Sequence, residues 1–251
     1  MQGVITFTTD FGLSDAYVAQ MKAAVLRIAP NARLIDVTHL IPRHDILAGS
    51  FAIERAIAGF DAGAVHVGVV DPGVGTDRRL IALHTRGQWV LCPDNAMITW
   101  TLRRHGGVTY RLTWRPPNVS DVFHGRDLLA PIAAMLSTGT SIDELGDPVT
   151  DPVLLDVAPA EMDATTGRVI HIDHFGNCTT NLLADRLPLG VRMVQAGLHA
   201  IGPLRRTYAD VPVGRPLALV GSGDLVEIAV RNGSAAEQLG LTVGQLVHLR
   251  T

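Results

Sequence analysis

Residues 65–79 read VHVGVVDPGVGTDRR. The valine-rich run from Val65 to Val70 has the look of a buried strand. It passes directly into Asp71-Pro72-Gly73-Val74-Gly75, a sequence that cannot continue as helix. Arg78 and Arg79 follow. A carboxylate at the carboxyl end of an apolar strand, with a cation seven residues on, sits where open α/β sheets place their ligands. Glycines in such a turn allow the backbone to come close to a ligand, because they carry no Cβ. The same stretch also fits an acidic turn residue tied to a neighbouring arginine.

Upstream of this stretch, residues 3–8 form a short β-branched and aromatic run, a first strand ending at Asp10-Phe11-Gly12. Ser14 or Asp15 is placed to cap a helix over 15–29, with Tyr17, Met21, Ala24, Val25 and Ile28 on one face. Pro30-Asn31 ends it, and a strand follows over 33–38. A second helix is predicted over 45–60. The order β-α-β-α-β is that of a parallel sheet with crossover helices. Downstream, residues 80–85 and 88–91 flank Arg86-Gly87 as a hairpin. A helix over 95–105, a strand over 108–113 and a helix over 128–136 complete the unit. The fold class expected is α/β: an N-terminal domain, 1–147, with a largely parallel central sheet and flanking helices. Asp147-Pro148 and Asp151-Pro152 mark a linker, 148–165. Beyond it, 166–251, short strands at 168–173, 179–183, 193–196, 216–220, 225–230 and 245–249 suggest a smaller, mostly antiparallel β domain.

The bulk composition restricts the function. The 251 residues are 47% hydrophobic and 18% charged, with net charge −3 and no basic stretch. Nucleic acid is therefore not expected as a partner, because phosphate contacts dominate such affinity. No apolar run has the ~18 residues of a membrane span. The opening MQGVITFTTDFG lacks the charged start and long apolar core of a signal peptide. Cys92 and Cys178 are too few and too far apart for a disulfide framework. A cytoplasmic location is expected.

Several stretches carry groups suited to chemistry. Asp10 ends the first strand, where a carboxylate can accept from two vicinal hydroxyls such as those of a ribose, or can simply cap a helix or an Asx-turn. His124, in Phe123-His124-Gly125-Arg126-Asp127, opens a helix and suits proton transfer or hydrogen bonding. In Asp173-His174-Phe175-Gly176-Asn177, Asp173 suits an ammonium and Asn177 a heterocycle edge, although the stretch also reads as a plain β-turn. Gly221-Ser222-Gly223-Asp224 is neither a nucleophile elbow nor a phosphate-binding fingerprint. Ten histidines invite a search for metal ligands, but H-E-x-x-H and C-x-x-C are absent, and no metal is expected.

TTDFG followed by Asp15, DVTH at 36–39, VDPGVGT-x-RR, FHGRD, DHFGN and GS…EIAV-x-NGSAA occur in this order along nearly the whole chain. Together they resemble the S-adenosyl-L-methionine hydroxide adenosyltransferases, water-using relatives of the fluorinase and chlorinase. The resemblance implies a homotrimer with active sites at subunit interfaces, acting on S-adenosyl-L-methionine without a cofactor. It implies that the substrate is split into adenosine and L-methionine by attack of water at the ribose 5′ carbon. On it, Asp71, Arg78 and His124 surround the attacking water, and Asp10 holds the ribose hydroxyls. Asp173 lies near the methionine amino group, and Asn177 contacts the nucleoside. Ser222, Glu227, Val230 and Asn232 fall in the segment that holds methionine and adenine.

The chemistry asks for such residues. A sulfonium leaves without protonation, whereas water attacks poorly unless moved toward hydroxide. Arg78 supplies a fixed positive field. Either His124 or Asp71 can take the proton. A halogenase would have no task for a base, since a halide needs no deprotonation. A binding protein without turnover is the third reading, because fold does not fix activity.

Overall fold

A computed structural model describes residues 3–156 and 165–251. Residues 157–164 of the expected linker therefore lie outside the described residues. The chain divides into two compact units, Met1–Asp156 and Val157–Thr251, each taken by itself below.

In the first unit the elements run β1 (Val4–Thr9), α1 (Tyr17–Ile28), β2 (Arg33–Thr38), α2 (Ile46–Gly59), β3 (Val65–Val69), β4 (Leu80–Thr85), β5 (Gln88–Pro93), α3 (Thr99–His105), β6 (Val108–Leu112), α4 (Ala130–Ser137) and β7 (Gly146–Val149). The sheet order is β2-β1-β3-β5-β4-β6-β7. The first four strands in that order are parallel, and the β5–β4, β4–β6 and β6–β7 pairs are antiparallel. The chain leaves β1 toward β2 and then crosses back to place β3 on β1's other side. Their carboxyl ends form the crevice where ligands bind in such sheets. The register sets Thr9 opposite Val69, which brings Asp10 and Asp71 to the same edge.

Strand alternation sorts the core onto two faces. Leu80 and Ala82 pack with Ile5, Phe7, Val67 and Met21 on the side of α1 and α4. Ile81 and Leu83 pack with Ile53, Ile57, Val70 and Met97 on the side of α2 and α3. The β4–β5 hairpin turns through Arg86 (φ 50°) and Gly87 (φ 70°), the two positive angles a tight two-residue turn requires.

The structure departs from expectation in places. Neither Ser14 nor Asp15 caps α1: the N-cap is Ala16, without a side-chain bond, and Ser14 donates instead to Asp15. The buried face of α1 includes Val18, Met21, Ala24 and Val25, while Tyr17 and Ile28 are exposed. Asp45 does cap α2, accepting from the Ala48 N–H at 2.9 Å. The helix expected from residue 95 starts only at Thr99, because Ala96 sits in the left-handed region at φ 84°. Asp147-Pro148, expected to open a linker, pairs with Arg111 and Tyr110 in β7 at the sheet edge, a position where proline is tolerated.

The second unit holds β8 (Thr166–Ile172), β9 (Cys178–Leu183), β10 (Met193–Ala196), β11 (His199–Gly202), β12 (Leu204–Arg205), β13 (Pro216–Val220), β14 (Leu225–Val230), α5 (Ala235–Leu239) and β15 (Leu246–Arg250). Their sheet order is β11-β10-β15-β8-β9-β14-β13-β12. Among the described pairings only β12–β13 is parallel. Val169, Cys178, Leu182, Val226, Ile228 and Val247 form the core. The elements β11, β12 and α5 were not expected. The two strands are very short, and a five-residue helix carries too little periodicity to read. Ser234 caps α5 by accepting from Glu237 N–H, and Gly240 ends it in the left-handed region.

Candidate active site

Asp71 lies just past β3, and its turn folds back through a Thr76 N–H to Gly73 O bond (3.2 Å). Gly75 has φ +84°, and a Cβ on Gly73 would stand 3.3 Å from Arg78 Cδ. These glycines shape the turn and clear room for the arginine. Arg78 Nε donates to Asp71 Oδ1 at 2.7 Å and Oδ2 at 2.8 Å, and Nη2 also donates to Oδ2. The same guanidinium places Nη1 and Nη2 at 3.0 and 3.1 Å from His124 Nδ1. A guanidinium only donates, so Nδ1 accepts. The ring is thereby neutral, with its proton on Nε2.

His124 immediately precedes a π-helical turn, Gly125–Leu129, that runs into α4. A Cβ on Gly125 would stand 3.3 Å from Val69 and 3.4 Å from the Met21 sulfur, so this turn packs tightly against β3 and α1. Asp71, Arg78 and His124 are all nearly buried. Burial lowers the His124 pKa below its ordinary 6.5, and Arg78 and then Arg115 add to the effect. Both causes disfavour the imidazolium.

Asp10, Asp71 and His124 line one cavity of about 280 Å³, together with Arg43, Phe11 and Phe123. Asp10 neither caps a helix nor closes a local turn. Its Oδ2 accepts from the His44 N–H at 2.9 Å, across 34 positions of sequence. The rings of Phe11, Tyr17 and Phe123 cluster at 5.5–6.0 Å between centroids, with Phe123 edge-on to the other two. Arg126 lies 4.8 Å over Phe123. This aromatic wall was not foreseen in the sequence, although TTDFG and FHGRD contain two of its three rings. Arg79 points elsewhere. It donates to Asp94 at 2.7 Å and to both the side chain and backbone of Asp151, so it anchors the chain.

In the second unit, Asp173, Asn177, Ser222, Glu227, Val230 and Asn232 line a single cavity of about 970 Å³. The Asp173 stretch forms the turn that its sequence allows, and it also lines the cavity. The carboxylate organises its own turn, accepting from the N–H groups of Phe175 (2.9 Å) and Asn177 (2.8 Å) and from Asn177 Nδ2 (2.9 Å), yet it faces the cavity. Gly176 makes that turn possible at φ +81°. Tyr208, which no motif flagged, also lines the cavity, and its hydroxyl donates to Glu227 Oε1 at 2.6 Å. Burial pushes the Glu227 carboxyl up, the Tyr208 hydroxyl opposes this, and the Asp173 charge reinforces it. No group of three or more His, Cys, Asp or Glu among the described residues is placed to hold a metal ion.

Comparison with known proteins gives this geometry a family. The first unit matches the SAM hydroxide adenosyltransferase N-terminal domain over residues 5–146, and the second the corresponding C-terminal domain over 167–248. An (R)-S-adenosyl-L-methionine hydrolase of Salinispora arenicola is 40% identical over 96% of this chain and 95% of its own length. A fluorinase of Actinoplanes is 26% identical over 97% and 96%. A solved structure of an uncharacterised conserved protein from Thermotoga maritima superposes with a TM-score of 0.91 at 32% identity, covering 98% of this chain and all of the other. The chain belongs to the SAM hydroxide adenosyltransferase family.

Proposed function

We propose that the protein hydrolyses S-adenosyl-L-methionine to adenosine and L-methionine, with Asp71, Arg78 and His124 acting on the attacking water. The observation that carries this reading is the single guanidinium bonded to both Asp71 and His124 beside a cavity that Asp10 also lines. Water plus the cationic substrate gives adenosine, methionine and one proton, which the Asp71 carboxylate or solvent takes up, since neither nitrogen of His124 is free to accept it. A C5′–O bond forms as the C5′–S bond breaks, and the sulfonium electron pair leaves on methionine's sulfur.

Arg78 holds Asp71 through both carboxylate oxygens, so a nearby nucleophile feels the field of this fixed dipole, whose positive end is the guanidinium. That field lowers the cost of hydroxide over water. His124, neutral and with Nδ1 occupied, presents Nε2–H and orients the nucleophile. Orientation of this kind supplies up to ~7–11 kcal/mol in well-aligned cases. Asp10 receives the ribose hydroxyls with its second oxygen. Asp173 and Glu227 give the cavity in the second unit a negative character that suits a sulfonium and an ammonium, while Asn177, Ser222, Val230 and Asn232 shape the rest. No cofactor is needed, because the substrate carries its own leaving group.

The reading extends to a homotrimer in which the second unit of one subunit completes the active site of a neighbour. Activity per subunit should then fall on dilution. A cytoplasmic location accords with two buried, free cysteines. The 40% identity to the Salinispora arenicola hydrolase, against 26% to a fluorinase, favours water over halide. The test is product analysis in ¹⁸O-labelled water with and without added halide. Label in the adenosine 5′ hydroxyl is expected. A 5′-halo-adenosine that requires halide would establish the halogenase reading, and binding with no product over hours would establish a binding protein.

A further inference from the structure

The start of the reactive turn is held in an unusual way. Val70, the residue before Asp71, lies beyond the last paired residue of β3. Its carbonyl accepts from Asn95 Nδ2 at 2.8 Å, and its N–H donates to the Met97 sulfur at 3.3 Å. Two side chains therefore replace the sheet partners that Val70 lacks. They reach it from one short turn, because Ala96 between them adopts φ 84°. A left-handed alanine is a strained conformation, and here it reverses the chain so that residues 95 and 97 both face Val70.

The surroundings are shaped for this arrangement. A Cβ on Gly49 would stand 3.0 Å from Met97 Cε, and one on Gly68 3.1 Å from the same atom. Met97 thus threads between α2 and β3 through a slot that two glycines leave open. Asn95 bears its own cost: its Oδ1 is buried with no hydrogen-bond partner, a state that an apolar residue of similar size would avoid. Its amide orientation is fixed by chemistry, since the Val70 carbonyl can only accept.

We propose that Asn95 is a positioning residue, which acts through Val70 to set where Asp71, and hence Arg78 and His124, meet the nucleophile. This rests on the reading of those three groups as the reacting centre. Asn95 does not line the cavity that Asp10, Asp71 and His124 share, so its influence falls on turnover rather than on substrate affinity. Misplacement of a reacting group by about 1 Å costs on the order of 100-fold.

The test compares wild type with Asn95→Ala and with Asn95→Leu, which branches as asparagine does but has no hydrogen to donate. Dissociation constants for S-adenosylmethionine, kcat and melting temperature are measured for each. A fall in kcat of about 30- to 100-fold, with affinity within twofold, is expected in both variants. Met97→Leu, which keeps the volume and loses only the weak sulfur acceptor, should lose no more than a few-fold. If Asn95→Ala is too unstable to assay, Asn95→Leu alone decides. Normal kcat in a folded Asn95 variant, or an equal loss of affinity and turnover, would overturn the proposal. A wild-type protein that does not cleave S-adenosylmethionine would instead overturn the reading on which it rests.

Discussion

Replacing Arg78 with lysine tests the centre without emptying it. The guanidinium serves two partners at once, gripping Asp71 through Nε and Nη2 and reaching His124 Nδ1 through both Nη atoms. A lysine ammonium keeps the charge and can stay with Asp71, but a single point cannot also span to the imidazole. The variant therefore loses about one charge-assisted hydrogen bond, ~1.5–3 kcal/mol. At 1.36 kcal/mol per tenfold, that is roughly a 10- to 150-fold drop in kcat. Affinity should hold, because Arg78 is not among the residues lining the cavity. The assay measures adenosine and methionine from single-turnover mixtures, alongside calorimetric binding. Wild-type kcat in Arg78→Lys would refute the argument. Arg78→Ala is a poorer probe. It leaves Asp71, whose side chain is 6% exposed, without its cation, at a cost of about 3–5 kcal/mol. Lost activity in that variant would mix chemistry with unfolding.

Other consequences are equally measurable. His124→Ala should keep substrate binding and lose about 100-fold in turnover, in line with the worth of holding a nucleophile in place; equal losses in both would count against it. His124 has a folded pKa below 6.5, so the folded protein binds that proton less readily than the unfolded chain does. Its contribution thus subtracts stability as pH falls below about 6.5 and vanishes above it, and the melting-temperature gap between wild type and His124→Asn should shift against wild type there; a gap constant from pH 8 to 5 would show otherwise. In Gly176→Ala, the new Cβ would meet Ser234 Cα at 3.0 Å, at φ +81°. The variant should lose more than ~1 kcal/mol and raise KM by disturbing Asp173 and Asn177. Glu227→Gln retains an acceptor for Tyr208 but loses the charge; S-adenosylmethionine should bind about tenfold more weakly while adenosine stays within twofold, as competition binding would show.

The parallel half of the first sheet was legible because valine-rich strands and helical spacing alternate there without interruption. The meeting of Asp10 with Asp71 followed from strand order alone. What sequence could not separate was Arg78 from Arg79: both are arginines beside the same turn, and only the resemblance chose between them. The structure gives the physical difference, since Arg79 is spent on Asp94 and Asp151. The turn at residues 95–98 was misread as helix because no propensity places an alanine at positive φ. Tyr208 was missed for a different reason. It sits on a one-turn helix whose link to Glu227 spans 19 positions, a long-range fact invisible to local pattern.

The π-helical turn behind His124 carries one more implication, for length variation. Such a turn holds one residue more than an ordinary helical turn. Removing a single residue between 125 and 129 would let the segment close as regular α-helix. Everything on its N-terminal side would then rotate by about 100°, the angle per helical residue. His124 would swing off Arg78 while α4 kept its place against the sheet. A one-codon deletion at this spot should leave a folded protein without its reacting histidine, and the same deletion further along α4 should disturb the core first.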